Sequence, residues 1–67
     1  MKRFIVAYIT FHDNVLHQES IMAATPFAAA LRYLQVHDSG EYDEIDSLDA
    51  LKSLCFDMDS MISVYQI

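Results

Sequence analysis

The sequence predicts one α+β domain over residues 1–67, with the element order β-β-α-α-β. Two β-rich runs separated by a turn pair come first, an alanine-rich run after a Thr-Pro pair follows, and a short β-rich run, Ser60–Ile67, ends the chain. β-Branched and aromatic residues favour strands, whereas alanine favours helix. We therefore expect a three-stranded antiparallel sheet in the strand order 2-1-3, with both helices on one face. A chain this short leaves no room for a second core.

The first predicted strand is Arg3–Phe11, whose alternating positions are apolar on both sides. Strands of this kind are usually central in their sheet or covered on both faces. The pair Asp13-Asn14 predicts a tight turn, because both side chains tolerate positive φ and bond to the local backbone. The second strand is then Val15–Ala23. A two-residue loop would place Phe11 opposite Leu16, Thr10 opposite His17, Tyr8 opposite Glu19 and Val6 opposite Ile21.

The first helix is predicted to run from Pro26 to about His37. Thr25 is suited to cap its free amides, and proline fits the first turn because it has no amide hydrogen to leave unpaired. Gly40 is the expected stop, since glycine readily adopts the left-handed conformation that ends many helices. The apolar stripe that should face the sheet consists of Phe27, Ala30, Leu31 and Leu34.

The second, shorter helix is predicted after an acidic connection, Glu41–Ile45. Asp46 or Ser47 is suited to cap it, and carboxylates near its start interact favourably with the positive end of the helix dipole. Tyr42 and Ile45 should anchor the connection on the core. The residues expected to point inward from this helix are Leu48, Leu51 and either Leu54 or Cys55.

One face of the predicted sheet is left without a covering helix. We expect the helices to cover the face with Ile5, Ala7 and Ile9, so the other face is exposed, and it is too apolar for ordinary solvent-facing surface. A chain of this size buries only roughly 60% of its unfolded surface, and the lone Cys55 offers no disulfide. Self-association would add burial. The residues of this candidate dimer face are Tyr8, Thr10, His17, Glu19 and Ile21.

The most prominent feature of the charge distribution is an acidic segment. Eight of the ten carboxylates lie between Asp38 and Asp59, where Lys52 is the only basic residue. Such a field either keeps an apolar protein in solution or steers it onto a basic groove of a larger assembly. In the second case Tyr42 would add an aromatic anchor. The predicted partner-binding residues are Asp38, Glu41, Tyr42, Asp43, Glu44 and Asp46.

Other clusters that could carry chemistry have simpler interpretations. The candidate metal ligands are His12, Asp13, His17 and Glu19. Their spacing matches no established zinc pattern. Cys55 could be a nucleophile paired with His37, but a free cysteine is more often a buried small hydrophobe. The Asp57 and Asp59 pair has no phosphate-binding loop beside it and indicates a solvated turn. We expect no catalytic residue, no metal and no cofactor.

Composition also disfavours several classes of function. Four dispersed basic residues cannot neutralise a phosphate track, so direct contact with nucleic acid is not expected. No segment approaches the roughly 20 apolar residues of a transmembrane helix. A lone cysteine suits a reducing cytosol, so we expect a cytoplasmic protein. A domain of this size can hardly enclose a preorganised active site, so we do not expect an enzyme.

Four features of the sequence together form a recognisable layout: Phe4–Phe11, the Asp13-Asn14 turn, the helix entry Ala24–Ala30 and the terminal strand Met61–Ile67. This layout resembles that of small accessory proteins encoded by tailed bacteriophages. Some of those proteins inhibit host RNA polymerase, and others block defence nucleases as anti-CRISPRs. The resemblance implies a non-catalytic inhibitor or adaptor, and it assigns no role to any particular residue.

The leading hypothesis is therefore a non-enzymatic, phage-encoded binding protein that acts in the host cytoplasm. Its acidic surface would occupy a basic surface on a host complex, either a defence nuclease such as CRISPR-Cas or RNA polymerase, and inhibit it by occlusion. The alternative is a structural or assembly module that self-associates, as a homodimer, through the open sheet face.

Overall fold

The computed structural model describes residues 1–37, 42 and 44–67. Within these ranges the chain forms three strands and two helices: β1 (Lys2–Thr10), β2 (Val15–Ala23), α1 (Pro26–His37), α2 (Leu48–Asp57) and β3 (Ser60–Gln66). The strands pair antiparallel in the order β2-β1-β3, which confirms the predicted α+β fold. Gly40, the predicted end of the first helix, lies outside the described residues. In the described part of the chain, no helix combines the length and the apolar character that crossing a bilayer requires.

A four-residue turn, Phe11–Asn14, joins β1 to β2. Asn14 has a positive φ of 56°, which asparagine tolerates, and its N–H donates to the Thr10 carbonyl at 2.8 Å. The predicted two-residue loop is therefore wrong. The register is shifted by two positions, so that Tyr8 lies opposite His17. A shift of two leaves every side chain on the same face as in the predicted register.

The helices cover the sheet face that carries Phe4 and Val6, so the prediction that this face stays open is wrong. Both residues are fully buried. The two sides of β1 are about equally apolar, and its neighbours decide between them. Ile21 of β2 and Ile62 of β3 lie on the covered side, and compact, branched side chains of this kind pack closely beneath a helix. Neither helix of the described residues covers the side of β1 that carries Ile5.

The residues predicted to form a dimer face consequently lie on the helix side of the sheet. Ile21 is buried, Tyr8 and Thr10 are half-buried, and His17 and Glu19 are exposed. The polar residues His17 and Glu19 are tolerated here because they lie on β2, an edge strand that the helices only partly shield from solvent. These residues do not form a continuous exposed surface.

α1 begins as predicted, with the Thr25 hydroxyl accepting a hydrogen bond from the Ala28 amide at 3.1 Å. The buried residues of its inward side are Ala29, Ala30, Tyr33 and Leu34. The small alanine side chains let the helix approach the sheet closely. This stripe is rotated relative to the predicted one, because Phe27 and Leu31 are only half-buried at the margin of the core.

α2 begins at a Ser47 cap, whose hydroxyl accepts a hydrogen bond from the Ala50 amide at 3.2 Å. Leu51 and Cys55 are fully buried, in agreement with the predicted inward side. At the other end, the buried Ser60 hydroxyl donates to the Cys55 carbonyl at 2.9 Å. The same carbonyl also accepts a hydrogen bond from the Met58 amide at 3.0 Å, so the Ser60 bond adds a second contact that fixes α2 to the start of β3.

Replacing Leu34 with alanine is expected to lower the free energy of unfolding by about 2–5 kcal/mol, because the substitution leaves a cavity in the core. Leu34 is 1% exposed. Val36, on the same helix, is 70% exposed, and V36A should change stability by less than about 0.5 kcal/mol. Chemical denaturation of both variants, followed by circular dichroism, checks this. Equal losses in the two variants would contradict the assignment of the buried side of α1.

Candidate functional site

The structure describes only some of the predicted partner-binding residues. Asp38, Glu41 and Asp43 lie outside the described residues. Glu44 and Asp46 are exposed in the connection that precedes α2.

Tyr42 is 5% exposed and belongs to the hydrophobic core. Its prediction as an exposed anchor for a partner is therefore wrong. Burial of a large aromatic ring is strongly favourable, and the ring serves to hold the acidic connection against the core. This agrees with the other role that the sequence suggested for Tyr42, together with the half-buried Ile45.

The described carboxylates around α2 lie at both ends of the helix. Glu44, Asp46 and Asp49 surround its first turn, and we call them the amino-end acidic group. Asp57 is the last residue of α2 and Asp59 follows the helix, and all five residues are exposed. A helix of 10 residues is about 15 Å long, which exceeds a Debye length of roughly 8 Å at physiological salt. The two groups therefore act as separate negative surfaces.

These carboxylates have no lysine or arginine within ion-pair distance among the residues that the structure describes. The ion pairs found there join Asp13 and Glu19 to histidines. The Glu19 Oε2 atom lies 2.9 Å from Nε2 of His37, and the Asp13 Oδ1 atom lies 3.9 Å from Nε2 of His12. The charge of the amino-end acidic group is therefore not neutralised by a described cationic neighbour.

The sheet side opposite the helices carries almost no charge. We call it the open sheet face. Its residues are Arg3, Ile5, Ala7 and Ile9 of β1, Leu16, Gln18, Ser20 and Met22 of β2, and Met61, Ser63 and Tyr65 of β3. Arg3 is the only charged residue among them, and its guanidinium donates to the Ser20 hydroxyl at 3.3 Å. The sequence contains the signal for this face, because no carboxylate occurs at any of these positions.

A surface cleft of about 340 Å³ lies on the helix side, where the end of α1 meets β1 and β2. Its lining residues are Tyr8, Thr10, His17, Tyr33, Leu34 and His37. The Tyr33 ring lies between the other two aromatic groups, with centroid distances of 5.7 Å to Tyr8 and 4.5 Å to His37. Burial raises the pKa of Tyr33, and the nearby Glu19 carboxylate and Tyr8 hydroxyl raise it further.

The residues considered as candidate metal ligands lie in two separate places. His12 and Asp13 lie in the turn between β1 and β2, where the Thr10 hydroxyl donates to Asp13 Oδ1 at 2.5 Å. Glu19 is engaged with His37 at the cleft. Among the described residues, no group of three or more histidine, cysteine, aspartate or glutamate side chains converges on one point.

The candidate nucleophile Cys55 is fully buried, while its proposed partner His37 is exposed at the end of α1. A thiol must be accessible to act on a solute, so this pair does not form a catalytic site. Of the Asp57 and Asp59 pair, only Asp59 lies in the turn before β3, with a positive φ of 58° that aspartate tolerates, whereas Asp57 is the last residue of α2.

Comparison with protein-family models, with curated proteins and with solved structures gave no match. The functional interpretation therefore depends on the surfaces and contacts of this chain.

The hydrogen bond from Thr10 lowers the pKa of Asp13, with a smaller contribution from the positive charge of His12. Replacing Thr10 with valine should raise that pKa towards its ordinary value of 3.8. A carboxylate whose pKa is lowered by folding stabilises the protein above its unfolded pKa, and this is lost as the pH falls through the folded pKa. The pH-dependent part of the stability difference from T10V should thus be present at neutral pH and absent in acid.

An NMR titration gives the pKa of the Asp13 carboxyl, and chemical denaturation at neutral pH and in acid gives the stability difference between T10V and the wild type. T10S keeps the donor and is the matched control, so its Asp13 pKa should stay low. An Asp13 pKa that is the same in T10V and in the wild type would show that the hydrogen bond is not formed in solution.

Replacing Glu19 with glutamine should lower the pKa of Tyr33, because the substitution removes a negative charge that opposes ionisation of the phenol. The ring resonances of Tyr33, followed by NMR as the pH is raised, report this directly. Glu44→Gln removes an exposed charge of the acidic connection instead and should leave Tyr33 unchanged. Equal shifts in the two variants would mean that Tyr33 responds to net charge rather than to Glu19.

Proposed function

We propose that the protein is a non-enzymatic binding protein that occupies a basic surface on a larger host complex and so inhibits it. The amino-end acidic group, together with the predicted residues Asp38, Glu41 and Asp43, makes the first contact. The observation that carries this proposal is the segregation of charge, with exposed carboxylates around α2 and none on the open sheet face.

Electrostatics supports a role in recognition. The net charge is −6, and the described carboxylates of the amino-end acidic group have no cationic neighbour within ion-pair distance. Uncompensated exposed charges accelerate encounter with an oppositely charged partner more than they add to the final affinity. A surface of this kind therefore suits rapid capture of a basic groove, followed by steric occlusion.

The positions and contacts of the candidate catalytic groups support a non-enzymatic role. Cys55 is inaccessible, and Glu19 is engaged with His37. The tyrosine hydroxyls and imidazoles of the cleft line a surface depression, whereas catalysis requires an enclosed and preorganised pocket.

The resemblance to small accessory proteins of tailed bacteriophages indicates which basic surfaces to consider first. Host RNA polymerase and defence nucleases such as CRISPR-Cas complexes hold nucleic acid in positively charged channels, and an acidic protein can compete for such a channel. Both targets place the site of action in the host cytoplasm.

The proposal predicts that Glu44→Gln combined with Asp46→Asn slows association with the target, most visibly at low salt, because both exposed charges contribute to steering. The matched control is Gln35→Lys combined with Gln66→Lys, which raises the net charge by the same amount at exposed positions of α1 and β3. Surface plasmon resonance over a salt series measures the association rates of both double variants with a purified bacterial RNA polymerase and with a CRISPR-Cas complex. The comparison distinguishes the effect of the acidic connection from the effect of net charge.

Slower association of the acidic-connection pair alone, together with displacement of the wild type by heparin, is the expected result. Equal effects of the two pairs would assign the effect to net charge. Binding that is unaffected by the acidic-connection pair, by heparin and by salt would refute the proposed surface.

A further inference from the structure

We propose that the open sheet face binds a second copy of the chain, giving a twofold dimer whose two helix layers face outward. This inference goes beyond the proposed function, which concerns carboxylates around α2 and holds equally for a monomer. It also differs from the dimer surface expected from the sequence, because it uses the other side of the sheet.

The strand register arranges the open sheet face in cross-strand rows. From one end to the other, the rows are Met22–Arg3, Ser20–Ile5–Tyr65, Gln18–Ala7–Ser63 and Leu16–Ile9–Met61. Large apolar residues dominate the second and fourth rows, while the third row, around Ala7, is smaller and more polar. Two such faces can approach closely at the third row and pack their larger rows on either side of it.

A twofold axis along the Ala7 row makes the face complementary to itself. Such an axis reverses the strand direction and lays the second row of each copy over the fourth row of the other. Ile5 then meets Ile9, and the Tyr65 ring meets Met61 in a favourable sulfur–aromatic contact. Each contact occurs twice, as in every interface between two identical surfaces.

The charged residue of the face also gains a complementary environment in this arrangement. Arg3 lies in the first row, and the same axis places it over the end of the other copy that lies beyond the fourth row. Phe11 and Asp59 lie at that end, joined by a hydrogen bond of 2.9 Å from the Phe11 amide to the Asp59 carbonyl. A guanidinium is attracted both to a carboxylate and to an aromatic ring.

The area of the face is sufficient for a specific interface. Strands of 9, 9 and 7 residues, at spacings of about 4.8 Å between strands and 3.4 Å between residues, form a face of roughly 14 by 27 Å. Because protruding side chains make the accessible area larger than this flat area, two such faces bury on the order of 1,000 Å², which is about the minimum for a specific interface. Much of that area is apolar and accessible, since Leu16 is 57% exposed and Tyr65 is 61% exposed.

The negative charge of the chain does not oppose this arrangement. The amino-end acidic group lies beside α2, in the layer on the far side of the sheet. In a dimer with outward helices, two sheets about 10 Å apart and a helix of about 10 Å on each separate the acidic groups by roughly 30 Å. That distance exceeds the Debye length of roughly 8 Å, so repulsion between the groups is screened.

The dimer is tested by sedimentation equilibrium of the full chain. The wild type should have twice the mass of one chain at high micromolar concentration. Leu16→Glu and Met61→Glu, both at exposed positions of the fourth row, should raise the dimer dissociation constant at least tenfold, because each places two uncompensated charges in the interface. Val36→Glu introduces the same charge at an exposed apolar position of α1 and should leave the dimer intact.

A second measurement tests the register independently of any destabilisation. Ser63 lies in the row on the proposed axis, so the two copies of Ser63→Cys should be joined by a short bismaleimide. Ser53→Cys, at an exposed position of α2, should not be joined. The native Cys55 is buried and does not compete.

A monomeric wild type, or dimers that persist in both glutamate variants, would overturn the inference. So would selective crosslinking of Ser53→Cys. A monomer whose Leu16→Glu variant loses binding to the host complex would assign the face to that complex instead of to a second copy. None of these outcomes affects the test of Glu44 and Asp46, so the two proposals fail separately.

Discussion

The structure depends on β1, a central strand that is apolar on both faces in a chain whose described helices cover only one of them. Phe4 and Val6 are fully buried against the helix layer. On the other side, Ile5 and Ile9 are shielded by their strand neighbours but have no second layer among the described residues. A chain of this length buries only roughly 60% of its unfolded surface. The uncovered side of the sheet is a consequence of that limit, and it leaves apolar area available for association.

The distribution of charge follows from the same constraint. Carboxylates are costly to bury, so the described ones lie in turns, in the connection before α2, at the ends of that helix and, for Glu19, at an exposed position of the edge strand β2. The helix dipole also favours a negative charge at the amino end of α2, where Asp49 lies in the first turn. The molecule therefore has two kinds of surface with different chemistry. One is acidic and suited to steering, and the other is nearly uncharged and suited to packing.

The polar residues on the helix side show how one sheet face can combine a buried core with a solvent-exposed edge. Phe4 and Val6 lie under the helices, while Tyr8 lies further along β1 towards the turn. There the end of α1 contributes His37, whose side chain pairs with Glu19. A histidine near a helix carboxyl end is favourably placed with respect to the dipole. This contact fixes the end of α1 to the edge strand β2 without requiring an apolar surface.

The sequence by itself determined the elements, their order and both helix starts. These features depend on local chemistry: β-branched runs, the Thr25 hydroxyl with the proline after it, and the Ser47 hydroxyl before α2. Only the tertiary structure decided which side of β1 is buried, because both sides are apolar and packing against β3 and the helices selects between them. The hairpin register also needed the structure, since Asn14 closes a four-residue turn where the residues suggested two. Tyr42 lies in the core for the same reason, because a side chain that is both aromatic and polar can be buried or exposed, and only the space available beside the helices decides which.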